Sequence, residues 1–358
     1  MLVVDDSVVI RRLLCDVISS DEQLEVVGYA ANGQIAMAML DRVCPDIVTL
    51  DVEMPEMDGL ETLKAIRSRH KCLPVIMFST LTERGAATTI DALSAGASDY
   101  ITKPANVGSF GESKEQIRHA LIPKIKALCG IAVSAAAKVE AVPCPAPVRR
   151  RKIVKTDRID AVVIGCSTGG PNALAEILPA LPANFPVPIL VVQHMPPAFT
   201  HFLAQRLDKY SPLEVQEALP GAEIAPGMIW IAPGDYHMTI EFYQNEYRIG
   251  TNQHSPENSC RPSVDVLFAS AARTFGGNVL AVVLTGMGQD GLHGCERLAD
   301  CGAQIVVQNE ATSVVWGMPG YVANAGLADA VLPLSEIALE INRRVGANRL
   351  TPRMRGAS

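Results

Sequence analysis

The first ~125 residues alternate short apolar runs with segments of helical periodicity, and this alternation constrains the fold more than any other feature. Five such pairs follow one another, from MLVV with VVIRRLLCDVI to DYITK with KEQIRHALIPKIKAL. Strands that alternate with helices usually pair in parallel. The pattern therefore predicts a five-stranded, doubly wound parallel sheet with helices on both faces.

A second α/β alternation begins at Asp160 with the apolar run IDAVVIG. It continues through further strand and helix patterns to the helical segment LSEIALEINRRV. The stretch MIWIAPGDYHMTIEFYQNEYRIG interrupts it with turn residues between short β-type runs. This half is therefore predicted to be a parallel-sheet α/β domain of hydrolase type with a β-hairpin-rich insertion.

Residues 127–158 separate the two halves and are rich in Ala, Pro and Val, with the basic knot RRRK at 149–152. Such a composition is typical of an interdomain linker. We predict a first domain over 1–126, a flexible linker over 127–158, a second domain over 159–347 and a frayed tail over 348–358.

Composition excludes several classes of protein. The net charge is −7, which argues against a nucleic-acid partner. No apolar run reaches the length of a membrane span and no basic-apolar leader opens the chain, so we expect a cytoplasmic protein without membrane insertion. The nine cysteines form no C-x-x-C pair, which favours reduced thiols.

Charged and hydroxyl side chains follow the predicted strands of the first domain. Asp5 and Asp6 end the first strand, Asp51 and Ser79 end later ones, and Lys103 follows DYIT. The carboxyl ends of parallel strands meet at one edge of a sheet. Clustered carboxylates repel one another unless a cation lies among them, and oxygen ligands suit Mg²⁺. Asp51 is then a candidate nucleophile toward a phosphoryl donor.

The motifs VVDDS at 3–7, LDVEMPEMDGLE at 50–61 and DYITKP at 99–104 resemble the receiver domain of two-component response regulators. The resemblance implies that Asp51 accepts the phosphoryl group and that Asp5, Asp6 and Asp51 hold Mg²⁺. It also implies a phosphate-contacting ammonium, a switch hydroxyl and a switch aromatic, which are Lys103, Ser79 and Tyr100.

In the second domain, GCSTG at 165–169 fits the G-x-S-x-G turn that exposes a nucleophilic serine above a parallel sheet. Ser167 could equally belong to a phosphate loop or cap a helix. A phosphate loop needs a G-K-[ST] ending, and no Lys is present. Capping is compatible with catalysis, so that alternative stays open. Cys166, its neighbour on the turn, is expected to point away from any base.

A reactive serine needs a base, and that base needs an orienting acid. Among the five histidines of this domain, only His194 directly follows an apolar strand, in PILVVQHMPP. Asp290 lies in the glycine-rich turn after NVLAVVLTG. We therefore predict a triad of Ser167, His194 and Asp290 at one edge of the sheet. Lipase-like hydrolases have the order Ser, acid, His. The order here makes a plain esterase or lipase the less favoured assignment.

GCSTGGPNAL, LVVQHMP, NSCRPSVDVLF and LTGMGQDG together resemble the chemotaxis-type protein-glutamate methylesterases, in which a receiver is fused to an esterase domain. The resemblance implies hydrolysis of γ-glutamyl methyl esters on methyl-accepting chemotaxis receptors, with deamidation of receptor glutamines as a second activity. It implies a chemotaxis histidine kinase as phosphodonor, a monomeric enzyme, and no cofactor for the ester reaction. It also places oxyanion or site-shaping groups at Thr168 and around Met287.

A DNA-binding output is the competing class, because many receivers control one. The second domain is too long and too rich in strands, and it lacks a short three-helix segment with a basic recognition helix. We therefore expect no retention on DNA at low salt.

Overall fold

The computed structural model describes residues 1–104, 110–131 and 155–347. These residues belong to two units, Met1–Ser134 and Ala135–Ser358. The RRRK segment, residues 132–154 of the predicted linker and the tail 348–358 lie outside the described residues. Among the described residues, no helix has both the length and the hydrophobicity that crossing a bilayer requires.

The first unit contains one parallel sheet. Its strands are β1 (Leu2–Val4), β2 (Gly28–Ala30), β3 (Val48–Asp51), β4 (Val75–Ser79) and β5 (Asp99–Thr102). They pair in the order β2-β1-β3-β4-β5. The helices are α1 (Val8–Ile18), α2 (Gly33–Val43), α3 (Gly59–Arg69), α4 (Glu83–Ser94) and α5 (Phe110–Leu128). The doubly wound sheet predicted for this half is confirmed.

Buried aliphatic residues fix one face of this sheet. Val3 and Phe78 on the strands pack with Leu14 of α1 and Leu121 of α5 in one core cluster. Polar residues set where the helices begin. The Asp58 side chain accepts from the Glu61 N–H, and Glu61 accepts from the Asp58 N–H, a reciprocal cap that starts α3 directly after the loop following Asp51.

The second unit contains a seven-stranded parallel sheet and one hairpin. The sheet strands are β6 (Ala161–Cys166), β7 (Ile189–Gln193), β8 (Glu214–Glu217), β9 (Met228–Ile231), β12 (Val279–Val283), β13 (Gln304–Gln308) and β14 (Ala330–Leu332), and the hairpin consists of β10 (His237–Tyr243) and β11 (Glu246–Asn252). The sheet order is β14-β13-β12-β6-β7-β9-β8. Strands β6, β7 and β12 are therefore central neighbours.

Six helices surround this sheet: α6 (Gly170–Ile177), α7 (Phe199–Tyr210), α8 (Val264–Phe275), α9 (Leu292–Asp300), α10 (Met318–Asn324) and α11 (Leu334–Ala347). Phe268 of α8 and Leu298 of α9 pack on Val163 and Ala281 of the sheet. The hairpin adds Met238 and Ile240 to the same cluster. The predicted α/β class with a hairpin insertion is confirmed.

Three short elements were not expected from the sequence, namely β8, α10 and β14. They contain three to seven residues and lie in segments for which the sequence predicted neither a strand nor a helix. The run MIWI also differs from the expectation. It forms β9 within the parallel sheet rather than part of a hairpin, because its buried residues pair with β7 and β8.

Both ends of the predicted linker are held by the units beside them. Helix α5 continues to Leu128, two residues beyond the predicted boundary at 126. At the other end, the Thr156 hydroxyl donates to the Gly277 carbonyl at 2.8 Å. All cysteines of the described ranges are free thiols.

Candidate functional site

The strand ends of the first unit bring two aspartates and one lysine together. Lys103 Nζ lies 2.8 Å from Asp51 Oδ2 and 3.0 Å from Asp5 Oδ2. Both carboxylates are almost fully buried, at 0% and 2% exposure for Asp5 and Asp51. One half-buried ammonium therefore faces two buried carboxylates, which leaves a net negative charge at this edge of the sheet.

The same edge fits a hard divalent cation. Asp5, Asp6 and Asp51 each offer a carboxylate oxygen, and these oxygens lie within 4.8 Å of one another. Asp6 is exposed, so the cluster opens to solvent. Asp5 Oδ2 forms an ion pair with Lys103 but accepts no hydrogen bond from the residues that the structure describes, so it keeps a lone pair for a further ligand. An all-oxygen set open to water is typical of Mg²⁺ sites.

The electrostatics of the cluster explain why a cation would stabilise it. Burial raises the pKa of Asp51 to about 6, and the neighbouring charge of Asp5 adds to this effect while Lys103 opposes it. Burial also raises the pKa of Asp5. For Lys103, burial alone would lower the pKa, but the ion pairs with both aspartates outweigh it and raise the pKa. Lys103 alone therefore does not compensate the charge of both carboxylates, and a bound cation would add the missing positive charge.

Ser79 and Tyr100 lie on β4 and β5, which are neighbouring strands of this sheet. The Ser79 hydroxyl lies 3.1 Å from the Gly85 carbonyl and 3.2 Å from the Thr80 carbonyl, and can donate to either. Tyr100 is 7% exposed, and Lys124 Nζ lies 5.4 Å from its ring centroid. Burial raises the pKa of its phenol. Their predicted roles as switch residues stay predictions.

In the second unit, Ser167 lies directly after β6, on a sharp turn into α6. Its N–H donates to the Thr285 carbonyl at 3.0 Å, and its carbonyl accepts from Gly170 at 2.8 Å. Gly169 is the helix N-cap, with φ at 78°, a conformation that favours glycine. No side chain caps α6. The helix-cap explanation of Ser167 is therefore wrong.

The Ser167 hydroxyl forms no hydrogen bond with any residue that the structure describes, and the side chain is partly exposed. Cys166, which precedes it, is fully buried and points to the Val192 carbonyl. Burial raises the pKa of the Cys166 thiol. Of the two adjacent side chains, only the serine is accessible to a substrate.

His194 and Asp290 form a direct pair, with His194 directly after β7 and Asp290 in the loop between β12 and α9. His194 Nε2 lies 2.7 Å from Asp290 Oδ2, and the two side chains are 12% and 2% exposed. The backbone N–H of His194 donates to the Cys166 carbonyl at 3.2 Å, which fixes the histidine beside the serine turn. The other ring nitrogen, Nδ1, lies 3.6 Å from Cys260 Sγ.

The Asp290 carboxylate is held at the N-terminus of α8 by a dense set of donors. Asp290 Oδ1 and Oδ2 together accept from His194 Nε2 (2.7 Å), Asn258 Nδ2 (3.0 Å), Ser263 Oγ (2.8 Å) and the N–H groups of Val264 (2.7 Å), Asp265 (3.1 Å) and Gly291 (3.1 Å). Helix N-termini stabilise negative charge. The position suits a carboxylate that stays ionised while it orients an imidazole.

These contacts shift the pKa values of the pair in opposite directions. Burial alone would lower the pKa of His194, but the hydrogen bond to Asp290, the contact with Cys260 and the charges of both groups together outweigh it and raise the pKa. Burial alone would raise the pKa of Asp290, but His194 and the backbone donors lower it. The pair therefore rests as imidazolium and carboxylate, and His194 must lose its proton before it can act as a base.

Thr168 and Met287 lie beside the serine turn. The Thr168 carbonyl accepts from Thr285 Oγ1 at 2.9 Å, whereas the Thr168 and Met287 N–H groups donate to no group in the described part of the chain. Gly286, before Met287, allows the two loops to approach. A Cβ there would lie 2.9 Å from Ser167 Cβ and 2.4 Å from Met318 Sδ.

Several residues around this site were missed by sequence reasoning. Asn258 and Cys260 come from a turn, and Asp265 from α8. His237 is 1% exposed, and its Nδ1 accepts the Ser263 N–H at 3.2 Å. The only signal was the segment NSCRPSVDVLF, which carried the family resemblance but assigned no role to its residues.

The fold and the two sites define a class of protein: a hydrolase of parallel α/β type that carries a response regulator receiver domain. Family models match both parts, the response regulator receiver domain over residues 1–112 and CheB methylesterase over residues 162–341. The chain belongs to the CheB methylesterase family.

Named relatives agree along the full length. The protein-glutamate methylesterase/protein-glutamine glutaminase of Trichodesmium erythraeum (strain IMS101) is 53% identical over 348 residues, covering 97% of this chain and 99% of that protein. The protein of the same name from Nocardioides sp. (strain ATCC BAA-499 / JS614) is 51% identical over 360 residues, covering 98% and 96%. The crystal structure of the Thermotoga maritima CheB methylesterase catalytic domain matches with a TM-score of 0.50 at 44% identity, covering 51% of this chain and 97% of that one.

Proposed function

We propose that this chain hydrolyses γ-glutamyl methyl esters on methyl-accepting chemotaxis receptors in the cytoplasm, with Ser167, His194 and Asp290 as its catalytic triad. We further propose that it deamidates receptor glutamines at the same site and acts as a monomer. One observation carries the proposal: the buried 2.7 Å pair of His194 and Asp290 beside an accessible serine on a strand-to-helix turn.

In the proposed reaction, Ser167 Oγ attacks the ester carbonyl and His194 takes the hydroxyl proton. Nδ1 is the nitrogen for this transfer, because Nε2 is engaged by Asp290. The 3.6 Å contact of Nδ1 with Cys260 is weak enough to yield to Ser167 once substrate binds, since catalytic hydrogen bonds are often loose without it. Asp290 stays ionised and stabilises the imidazolium.

The tetrahedral intermediate places negative charge on the former carbonyl oxygen. The free N–H groups of Thr168 and Met287 are the donors proposed to stabilise it. His194 then returns the proton to the leaving methanol, and water hydrolyses the acyl-serine by the same steps. An amide substrate passes through an equivalent intermediate and releases ammonia. No cofactor takes part in this scheme.

The receiver is proposed to accept a phosphoryl group on Asp51 from a chemotaxis histidine kinase. Asp5, Asp6 and Asp51 would hold Mg²⁺, which offsets the charge on the phosphoryl oxygens when bound. Lys103, already paired with Asp51, would contact the phosphoryl group, and Ser79 and Tyr100 would change conformation in response. Phosphorylation would then raise the rate of ester hydrolysis.

Methanol release from methylated receptor fragments tests the triad. We expect Ser167→Ala and His194→Ala to lower the rate by about 10⁴-fold, because removal of one triad member disables the unit. Ser335→Ala, an exposed serine on α11, is the matched control and should keep full activity. Near-normal methanol release by Ser167→Ala would refute the assignment.

A small-molecule phosphodonor tests the regulation. We expect it to stimulate the wild-type enzyme in the presence of Mg²⁺ and to have no effect after chelation. Asp51→Ala should not respond, whereas Asp41→Ala, an exposed aspartate of α2, should respond normally. Stimulation of Asp51→Ala to the wild-type level would show that another residue carries the phosphoryl group.

A further inference from the structure

A tight turn over Glu257–Cys260 lies directly against the His194–Asp290 pair. The Glu257 N–H donates to the Cys260 carbonyl at 3.1 Å, and the Cys260 N–H donates back at 2.9 Å. The two central residues, Asn258 and Ser259, have φ values of 52° and 62°. Turns of this left-handed kind favour Asn or Gly at their first central position. The turn alone would therefore accept glycine at 258 as readily as asparagine.

The Asn258 side chain does more than satisfy the turn, because its amide lies between two buried carboxylates. Asn258 Nδ2 is 3.0 Å from Asp290 Oδ1 and 2.9 Å from Asp265 Oδ2. Asp290 and Asp265 are 2% and 3% exposed. An amide NH₂ has two hydrogens, so one neutral group can donate to both carboxylates at once.

Apart from one shared donor, the Gly291 N–H, the two carboxylates have separate partners on their other sides. Asp290 holds His194 and the first turn of α8, whereas Asp265 Oδ1 accepts from the N–H groups of Gly291 and Gly294 at the start of α9. Among the described residues, the Asn258 amide is the side chain that donates to both carboxylates, and the backbone N–H of Gly291 lies within reach of both as well. Without the Asn258 amide, the two carboxylates would keep the Gly291 N–H as a shared donor, but Asp290 would lose one fixed donor and would be less well screened from the second buried negative charge.

We propose that Asn258 is a positioning residue for ester hydrolysis, which holds the Asp290 carboxylate toward His194 and screens it from Asp265. The proposal rests on the triad roles given above. The Asn258 side chain donates to Asp290 and Asp265 and forms no hydrogen bond with Ser167 in the described part of the chain, so it acts on the reaction through these carboxylates.

The sign of its effect on the imidazole follows from the contacts. A donor withdraws negative charge from Asp290, so its removal makes that carboxylate attract a proton on His194 more strongly. The other titratable groups that face the pair are Cys260 on the turn, Asp265 on α8 and, next to Asp265, His293 on α9. They remain in place when Asn258 is replaced by glycine. The His194 titration should therefore move to higher pH.

The variants Asn258→Gly and Asn258→Asp test this inference in the full chain. Glycine keeps the left-handed turn and removes the amide, whereas aspartate keeps the size and replaces a donor with a third carboxylate. Asn245 is the matched control, because it is a left-handed asparagine (φ 67°) at the exposed tip of the β10–β11 hairpin. Asn245→Gly and Asn245→Asp should behave as wild type.

We expect Asn258→Gly to lower kcat about ten- to hundredfold with KM nearly unchanged, the loss that corresponds to one hydrogen bond to a buried charge. The acidic limb of the kcat/KM profile should move to higher pH, and further still in Asn258→Asp. A fall in kcat with an unmoved acidic limb would overturn the proposal, as would unchanged kinetics in both variants.

A second measurement separates this proposal from the proposed function. NMR titration of His194 in the Ser167→Ala background needs no catalysis, and adding Asn258→Gly there should raise the midpoint. If Ser167→Ala proves active while the midpoint still rises, the triad assignment fails and the positioning role of Asn258 toward His194 stands. An unmoved midpoint in a normally folded double variant overturns the positioning role.

Discussion

Asp290→Ala should remove stability as well as activity, whereas Ser167→Ala should remove activity alone. The substitution deletes the acceptor for the buried N–H groups of Val264 and Asp265 at the start of α8. Each buried donor left without a partner costs about 1–3 kcal/mol. Two of them predict a loss of about 2–6 kcal/mol in the free energy of unfolding, provided that Ser263 and Asn258 find other partners.

Tryptophan fluorescence in urea gives the measurement. The chain has two tryptophans, Trp230 and Trp316, and both belong to the second unit, so their signal follows its unfolding. Ser167→Ala should lie within about 0.5 kcal/mol of wild type, because its hydroxyl has no partner in the described chain. Asp290→Asn keeps one acceptor oxygen, so its free energy of unfolding should lie between those of Asp290→Ala and Ser167→Ala.

The effect should depend on pH in a defined direction. The pKa of Asp290 in the folded protein lies below its ordinary 3.8, so the ionised carboxylate stabilises the fold above that pH. This stabilisation is lost as the pH falls through the lowered value. The difference between wild type and Asp290→Ala should therefore be full at neutral pH and shrink below about pH 4. Equal stability of the two proteins at pH 7 would refute the reasoning.

Three further predictions concern single groups. In metal-free buffer at pH 7.5, Asp51→Asn should raise the free energy of unfolding of the first unit by about 1–2 kcal/mol, measured by hydrogen exchange, and at pH 4 it should have no such effect. The reason is that a buried carboxylate with a pKa of about 6 destabilises the fold only when it is ionised. Destabilisation at pH 7.5 would contradict this. Alkylation of Cys260 should block methanol release, because the adduct would lie against His194. The Cys260→Ser variant should keep its activity under the same treatment. Alkylation of the exposed Cys301 should leave methanol release unchanged. The kcat/KM of the wild type should rise with pH above neutrality, because His194 has a raised pKa and must lose its proton before it can act as a base. Asp290→Asn should move the midpoint of this pH profile to lower pH. An unchanged midpoint would show that Asp290 does not control the pKa of the imidazole.

The sequence predicted all ten strands and helices of the first unit, because each carries its own periodic pattern and start or stop residues. In the second unit it missed β8, α10 and β14, whose few residues depend on the neighbouring sheet rather than on local pattern. The run that forms β9 was predicted within a stretch of strands and hairpins, with no sheet assigned to it. Its sequence is a β-type run in either case, and only its pairing with β7 and β8 decides the sheet.

The residues of the candidate site also divide into those that a sequence pattern could select and those that it could not. Ser167 and His194 could be selected because each directly follows an apolar strand, and Asp290 because it lies in the glycine-rich turn after another one. Parallel topology brings the carboxyl ends of such strands to one edge. The structure brings His194 and Asp290 into contact, and their catalytic roles stay predictions. Asn258, Cys260 and Asp265 reach the site through a left-handed turn and a helix start. Neither the turn nor the helix start has a periodic sequence pattern that predicts which residues its side chains will contact.

The two aspartates beside Asn258 also link α8 to α9 in both directions. Asp290, in the loop that leads into α9, holds the first turn of α8, and Asp265, within α8, holds the first turn of α9. Neither helix start can form its full set of bonds before the other is docked. During refolding, Asp290 therefore reaches its position in the site only when α8 and α9 dock. Enzymatic activity should then recover together with helix docking rather than after it.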